Sequence, residues 1–114
     1  MLKKQNLIRK QKEFEQVFEK GKYVRDKELV LKVCKNNLES SRIGVVVSSK
    51  VSKRAVFRNK LRRQLKAVFL KEQKNIVLGY DLVVISLNKN KDYTYQEIES
   101  SFLKLLKKLK LYVN

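Results

Sequence analysis

Residues 50–66 read KVSKRAVFRNKLRRQLK; eight of the seventeen are basic and none is acidic. The acid-free span is wider still, from Ser40 to Lys71, bordered by Glu39 and Glu72. One-signed charge at this density calls for a polyanionic partner or heavy solvation. The block also has helical order. Phe57, Leu61, Leu65, Val68 and Phe69 recur at the spacing of one helix face. At about 100° per residue these five fill a sector roughly 120° wide, and Asn59, Arg62, Arg63 and Lys66 fall on the neighbouring face with Arg58 at its border. The spacing predicts a helix over residues 53–72 that anchors by its apolar stripe and presents its cations together. The planar fork of arginine donates two parallel hydrogen bonds to a phosphate, and asparagine can read a sugar or a base edge. Clustered arginine with no intervening acid favours phosphate binding over a merely solvated basic face. Lys50, Lys53 and Arg54 extend the cationic run into the preceding connector.

Working outward, the chain has 114 residues, 43% of them hydrophobic, and a formal net charge of +17. That length predicts one domain over residues 1–114, and the apolar content argues against disorder. The charge, with a pI near 10.1, points to nucleic acid or an anionic surface. No apolar run approaches the ~18 residues of a membrane span. The first twelve residues, MLKKQNLIRKQK, lack the apolar core of a signal peptide. A cytoplasmic protein with no membrane partner is expected. Histidine is absent, which removes the usual general base and the commonest zinc ligand. Cys34 is the single cysteine; it lies in a strand-like run and reads as a small core residue.

The remaining segments set the fold class. Residues 1–9 are basic and weakly patterned, and read as a mobile arm. Phe14, Val17 and Phe18, with Glu13, Glu15 and Glu19 between them, predict a short amphipathic helix over 10–20 that stops at Gly21. Leu29 to Lys35 alternates as a strand, with Leu29, Leu31 and Val33 on one face and Val30, Lys32 and Cys34 on the other. Ile43 to Val47 is β-branched around Gly44 and reads as a buried strand that pairs with the first as a hairpin. Tyr80 to Leu87, apolar on both faces, is a third strand. Residues 88–92 form a polar loop. Thr94 and Glu97 have the spacing of a capping box before a helix whose stripe is Ile98, Phe102, Leu105, Leu106 and Leu109. The order α-β-β-α-β-α predicts an α+β protein, a small α/β sandwich.

The segment Ala55-Val56-Phe57-Arg58-Asn59-Lys60-Leu61-Arg62-Arg63-Gln64-Leu65-Lys66 resembles the signature of the bacterial ribonuclease P protein subunit family: Arg-Asn, two residues, two basics, two residues, then Arg. Lys66 departs from it, keeping the charge without the bidentate fork. The strand end Ile43-Gly44-Val45-Val46-Val47-Ser48-Ser49-Lys50 looks like the family's Gly-x-x-Val-Ser-Lys, and Glu13 to Phe18 followed by Gly21 looks like its first helix. The resemblance implies a left-handed β-α-β crossover, rare in general. It also implies a function: protein subunit of a ribonucleoprotein endoribonuclease that binds a catalytic RNA and removes the 5′ leader of precursor tRNA. Mg2+ bound mainly by the RNA carries the chemistry, and no catalytic residue or metal ligand is expected from the protein.

Carried onto this chain, the resemblance assigns catalytic-RNA contact to Arg58, Asn59, Arg62, Arg63 and Lys66, joined by Lys50, Lys53 and Arg54. It assigns leader contact to Phe14, Phe18 and Lys32, in a cleft between the first helix and the sheet where unpaired bases stack on aromatic rings. Two readings stand for the phenylalanines, since rings at i, i+4 on a short helix equally suit a core. Lys32 occupies a position that is often aromatic in the family; it is either a phosphate contact or an ordinary strand lysine. A structural RNA-binding protein of the small ribosomal type is the alternative that composition favours, and the arginine spacing weighs against it. No DNA partner is expected, because the basic helix lacks the preceding helix and tight turn of a helix-turn-helix. A membrane-surface helix fits least, its apolar face being short and flanked by strands.

Overall fold

The computed structural model describes residues 3–47, 55–87 and 93–113. Its elements are α1 (Gln11–Lys20), β1 (Lys22–Asp26), β2 (Leu29–Lys35), β3 (Arg42–Val47), α2 (Ala55–Glu72), β4 (Tyr80–Ser86) and α3 (Tyr95–Lys108), with single 3-10 turns at Lys4–Asn6 and Gln73–Asn75. The four strands form one sheet in the order β1-β2-β4-β3. β1 and β2 pair antiparallel, as do β2 and β4, while β3 runs parallel to β4.

The α+β class and the helices follow the sequence pattern, but the strand order corrects it in two places. The observed order is α-β-β-β-α-β-α, with β1 added. The expected hairpin of β2 and β3 does not form, because β4 lies between them. The reason is burial on two faces: Leu82, Val83 and Val84 are each fully buried, and a strand apolar on both sides belongs in the middle of a sheet. The hairpin is β1–β2 instead. Its turn, at Lys27-Glu28, places Lys27 at φ 54°, a conformation usually announced by Gly or Asn, so the turn is silent in the sequence. β1 itself, KYVRD, is a polar edge strand.

Helices cover both faces. Leu29, Leu31, Val33, Ile43, Val47, Leu82 and Val84 face α2 and α3, joining Leu61, Leu65, Val68, Phe69, Ile98, Phe102, Leu105 and Leu106 in the main core. Fully burying each such side chain contributes roughly 1.5–3 kcal/mol. Phe57 departs from the expected stripe: at the first described turn of α2 it is 36% exposed. The N-terminus of α3 closes as the spacing predicts, with the Glu97 N–H donating to Thr94 Oγ1 and the Thr94 N–H to Glu97 Oε1, both at 3.1 Å. β3, α2 and β4 make the parallel β-α-β unit; the left-handedness of its crossover rests on the family resemblance.

On the other face α1 packs over β2 and β4, with Ile8, Val17 and Val83 as a second, smaller core. Cys34 is half-buried at its margin, less enclosed than a core residue. The expected mobile arm is a further correction. Asn6 is buried and donates from Nδ2 to the Ser41 carbonyl. Leu7 bridges Ile43, and the Ile8 N–H donates to the Ile43 carbonyl at 2.9 Å. The segment thereby caps the outer edge of β3, which would otherwise offer unpaired backbone groups.

Candidate nucleic-acid interface

Two surfaces carry the residues singled out by the sequence, and they lie on opposite sides of the sheet. The first is α2. Its buried side rests on β3, and Gln64 and Lys71 turn toward α3, where Gln64 Nε2 donates to the Tyr93 carbonyl and Lys71 Nζ pairs with Glu99 at 2.8 Å. By helical position Arg62 and Lys66 fall on the flank away from α3, with Arg63 and Asn59 toward solvent. Asn59 and Arg63 are exposed, while Arg58, Arg62 and Lys66 are half-buried. Arg62 Nη1 donates to Asn59 Oδ1 at 3.2 Å, so two of the assigned side chains are held against each other. Lys50, Lys53 and Arg54 lie outside the described residues.

The second surface is built by α1 crossing the sheet. Cross-strand registers place Tyr23, Lys32, Val83 and Gly44 in one row on the α1 side. Val17 is fully buried beside Val83. At β3 the Phe14 ring lies so close to the strand that a Cβ on Gly44 would sit 2.5 Å from it; glycine there is what lets the ring reach the backbone. At β2 the Phe18 ring is 40% exposed, and Lys32 Nζ stands 5.2 Å from its centroid, within cation–π range. The two phenylalanines thus separate: Phe14 is half-buried packing, and Phe18 is an open ring beside a cation. The next row, Arg25, Val30, Ile85 and Val46, is only partly covered. It lies beside α1 on the same face of the sheet, with Arg25 exposed and the other three half-buried.

A residue group that the sequence did not suggest fastens α1 in place. Arg42 donates from Nε and Nη2 to both oxygens of Asp81, at 2.7 and 2.6 Å, and from Nη1 to Glu13. Asn36 Nδ2 donates to the same Asp81 at 2.9 Å. Glu13 also accepts from the Lys10 and Arg9 backbone N–H groups at the start of α1. Those backbone bonds, Lys10 first, and Arg42 beside it hold the Glu13 carboxyl below its ordinary pKa, partly opposed by burial. Asp81, foremost, and Glu13 raise the Arg42 pKa. The partners lie 29 and 39 residues apart, so no local pattern could have revealed them. Among the described residues no group of three or more His, Cys, Asp or Glu side chains is placed to hold a metal ion, and no metal ligand is assigned to the protein. No described helix is long and apolar enough to cross a membrane.

A four-stranded sheet with a cationic helix on one side and an aromatic, cation-flanked surface on the other defines a class of small α+β RNA-binding proteins. The comparisons make it particular. The family described as Ribonuclease P matches residues 2–110. A ribonuclease P protein component from Clostridium botulinum is 47% identical over 110 residues, covering 96% of this chain and 98% of the relative. Among solved structures, a Staphylococcus aureus RNase P protein mutant with defective mRNA degradation activity superposes with a TM-score of 0.87 at 32% identity, covering 96% of this chain and 92% of that one. The RNase P protein of Thermotoga maritima gives 0.79 at 30% identity over 90% and 96%. The chain belongs to the ribonuclease P protein family.

Proposed function

We propose that this chain serves as the protein subunit of ribonuclease P, holding the catalytic RNA with one side of its sheet and the 5′ leader of precursor tRNA with the other. The family gives the reaction: endonucleolytic removal of the leader, leaving a 5′ phosphate on the mature tRNA. Mg2+, held mainly by the RNA, would supply the hydrolytic chemistry, and no residue of this chain is assigned to hold it. Every role derived for this chain is one of binding and orientation. Arg58, Asn59, Arg62, Arg63 and Lys66, continued by Lys50, Lys53 and Arg54, bind phosphates and sugars of the catalytic RNA. Phe18 stacks a leader base, and Lys32 meets a leader phosphate. Phe14 supports them by seating α1 on β3 at Gly44. A cytoplasmic location accords with this role.

The observation that carries this reading is the exposed Phe18 ring with Lys32 Nζ 5.2 Å from its centroid, on the sheet face opposite α2. Leader contact and RNA anchoring should therefore separate by mutation. In the reconstituted holoenzyme, Phe18→Ala should weaken precursor tRNA binding by the ~1–3 kcal/mol of one base stack and leave mature tRNA binding and catalytic-RNA affinity unchanged. Arg62→Ala should weaken assembly with the catalytic RNA and lower the salt slope by roughly 0.7–0.9. Equal losses on precursor and mature tRNA for Phe18→Ala, with an early thermal melt, would refute leader contact. Normal assembly of Arg62→Ala at physiological salt would refute the α2 assignment.

A further inference from the structure

The edge strand β1 carries Tyr23, which is 67% exposed, the most open aromatic ring among the described residues. β-propensity alone would tolerate a tyrosine there, but its surroundings are particular. Tyr23 is the cross-strand partner of Lys32, so both side chains stand on the face that α1 crosses. Lys32 Nζ lies 5.9 Å from the Tyr23 centroid and 5.2 Å from that of Phe18. One ammonium therefore lies within cation–π range of two rings. The row runs outward from α1, through the cation, to the edge of the sheet. A single strand of nucleic acid alternates π-faces with negative charge, and proteins that hold one combine stacking rings with cations in the same alternation. Ring, cation, ring is the complement of base, phosphate, base.

We infer that Tyr23 is a second base-stacking subsite, which extends the leader track from Phe18 past Lys32 to the β1 edge and takes an unpaired nucleotide base of the leader. The phosphate between the two stacked bases lies against the Lys32 ammonium. The ring, not the hydroxyl, carries the contact, since stacking needs only the π-face. The inference rests on the leader-binding reading of Phe18 and Lys32, and it adds a longer track: affinity should keep rising with leader length beyond the nucleotide held by Phe18.

The test is a leader-length series. Precursor tRNAs whose leaders grow one nucleotide at a time, together with mature tRNA, are titrated against holoenzyme carrying wild-type, Tyr23→Ala, Tyr23→Phe or Phe18→Ala protein. Wild type should gain affinity in steps. Tyr23→Ala should lose one step, by about 5- to 160-fold, at leader lengths beyond those where Phe18→Ala first shows its loss. Tyr23→Phe should keep that step. Mature tRNA affinity and melting temperature should not move, because the ring is open. If Tyr23→Ala matches wild type at every length while Phe18→Ala loses affinity, the subsite is overturned and the leader reading survives. A flat response to both variants sinks the two together. Loss of the step in Tyr23→Phe as well, or equal losses on precursor and mature tRNA, would also overturn stacking at Tyr23.

Discussion

Single atoms decide how α1 is seated. The hydrogen on Gly44 is the space into which the Phe14 ring fits; a Cβ there would come within 2.5 and 2.7 Å of ring carbons and 3.2 Å of Ile8 Cβ. A ring pinned between a helix and a strand cannot swing aside as a lysine would. Gly44→Ala should therefore cost about 1–3 kcal/mol, the usual cost of overpacking, measured by denaturant titration. The cause can be isolated: in a Phe14→Leu background the smaller side chain leaves room, and the Gly44→Ala penalty should shrink. Additive penalties from the two changes would show that the ring is not what Gly44 accommodates. Phe18, with the same chemistry four residues on, has no such seat, and its exposure makes it available to a ligand.

At the scale of elements, the attachment of α1 is the feature most open to measurement. Val17 is its one buried residue, and the Arg42–Glu13 link joins the packing of Phe14 in holding the helix to the sheet. Glu13 has a folded pKa below its unfolded one. A carboxylate shifted this way stabilises the fold above the unfolded pKa, about 4.3, and the contribution is lost as pH falls through the folded value. Wild-type protein should lose thermal stability steeply on acidification through that window. Glu13→Gln should be less stable at pH 7 and should show a shallower acid limb, so that the two melting curves converge at low pH. Parallel curves across the window would mean that the Glu13 charge does not fasten α1. By contrast α2 is seated by Leu61, Leu65, Val68 and Phe69, and substitutions on its cationic flank should leave folding nearly untouched.

For the whole molecule, a formal charge of +17 suits the RNA partnership proposed for it. Neutralising phosphates of a folded RNA lowers the counterion demand of the assembly. Adding this protein to its catalytic RNA should therefore shift the magnesium dependence of leader removal to lower concentrations. Rigorously RNA-free protein should not cleave precursor tRNA at any magnesium concentration. Metal-dependent cleavage by such a preparation, insensitive to prior nuclease treatment of the stock, would transfer the chemistry to the protein.

Patterns that repeat within a turn of helix or along a strand can be read before any fold is known. The stripe of α2 from Leu61 to Phe69, the capping box at Thr94 and Glu97, the alternation of β2 and the two-sided apolar run of β4 are local patterns with a period, and each appears as read; only Phe57 falls outside its stripe. The cationic flank was legible for the same reason: charge and spacing on one helix need no partner to be seen. Which strand lies beside which is settled by packing, because pairing joins residues tens of positions apart and β4 took its place between β2 and β3 through burial on both faces. Packing also docked residues 6–8 on the edge of β3, where open backbone groups made a place for them. It brought Arg42, Asp81 and Glu13 together across 29 and 39 residues. It also parted Phe14 from Phe18, identical in type and i, i+4 on one helix, because one meets the bare backbone of Gly44 and the other meets the ammonium of Lys32.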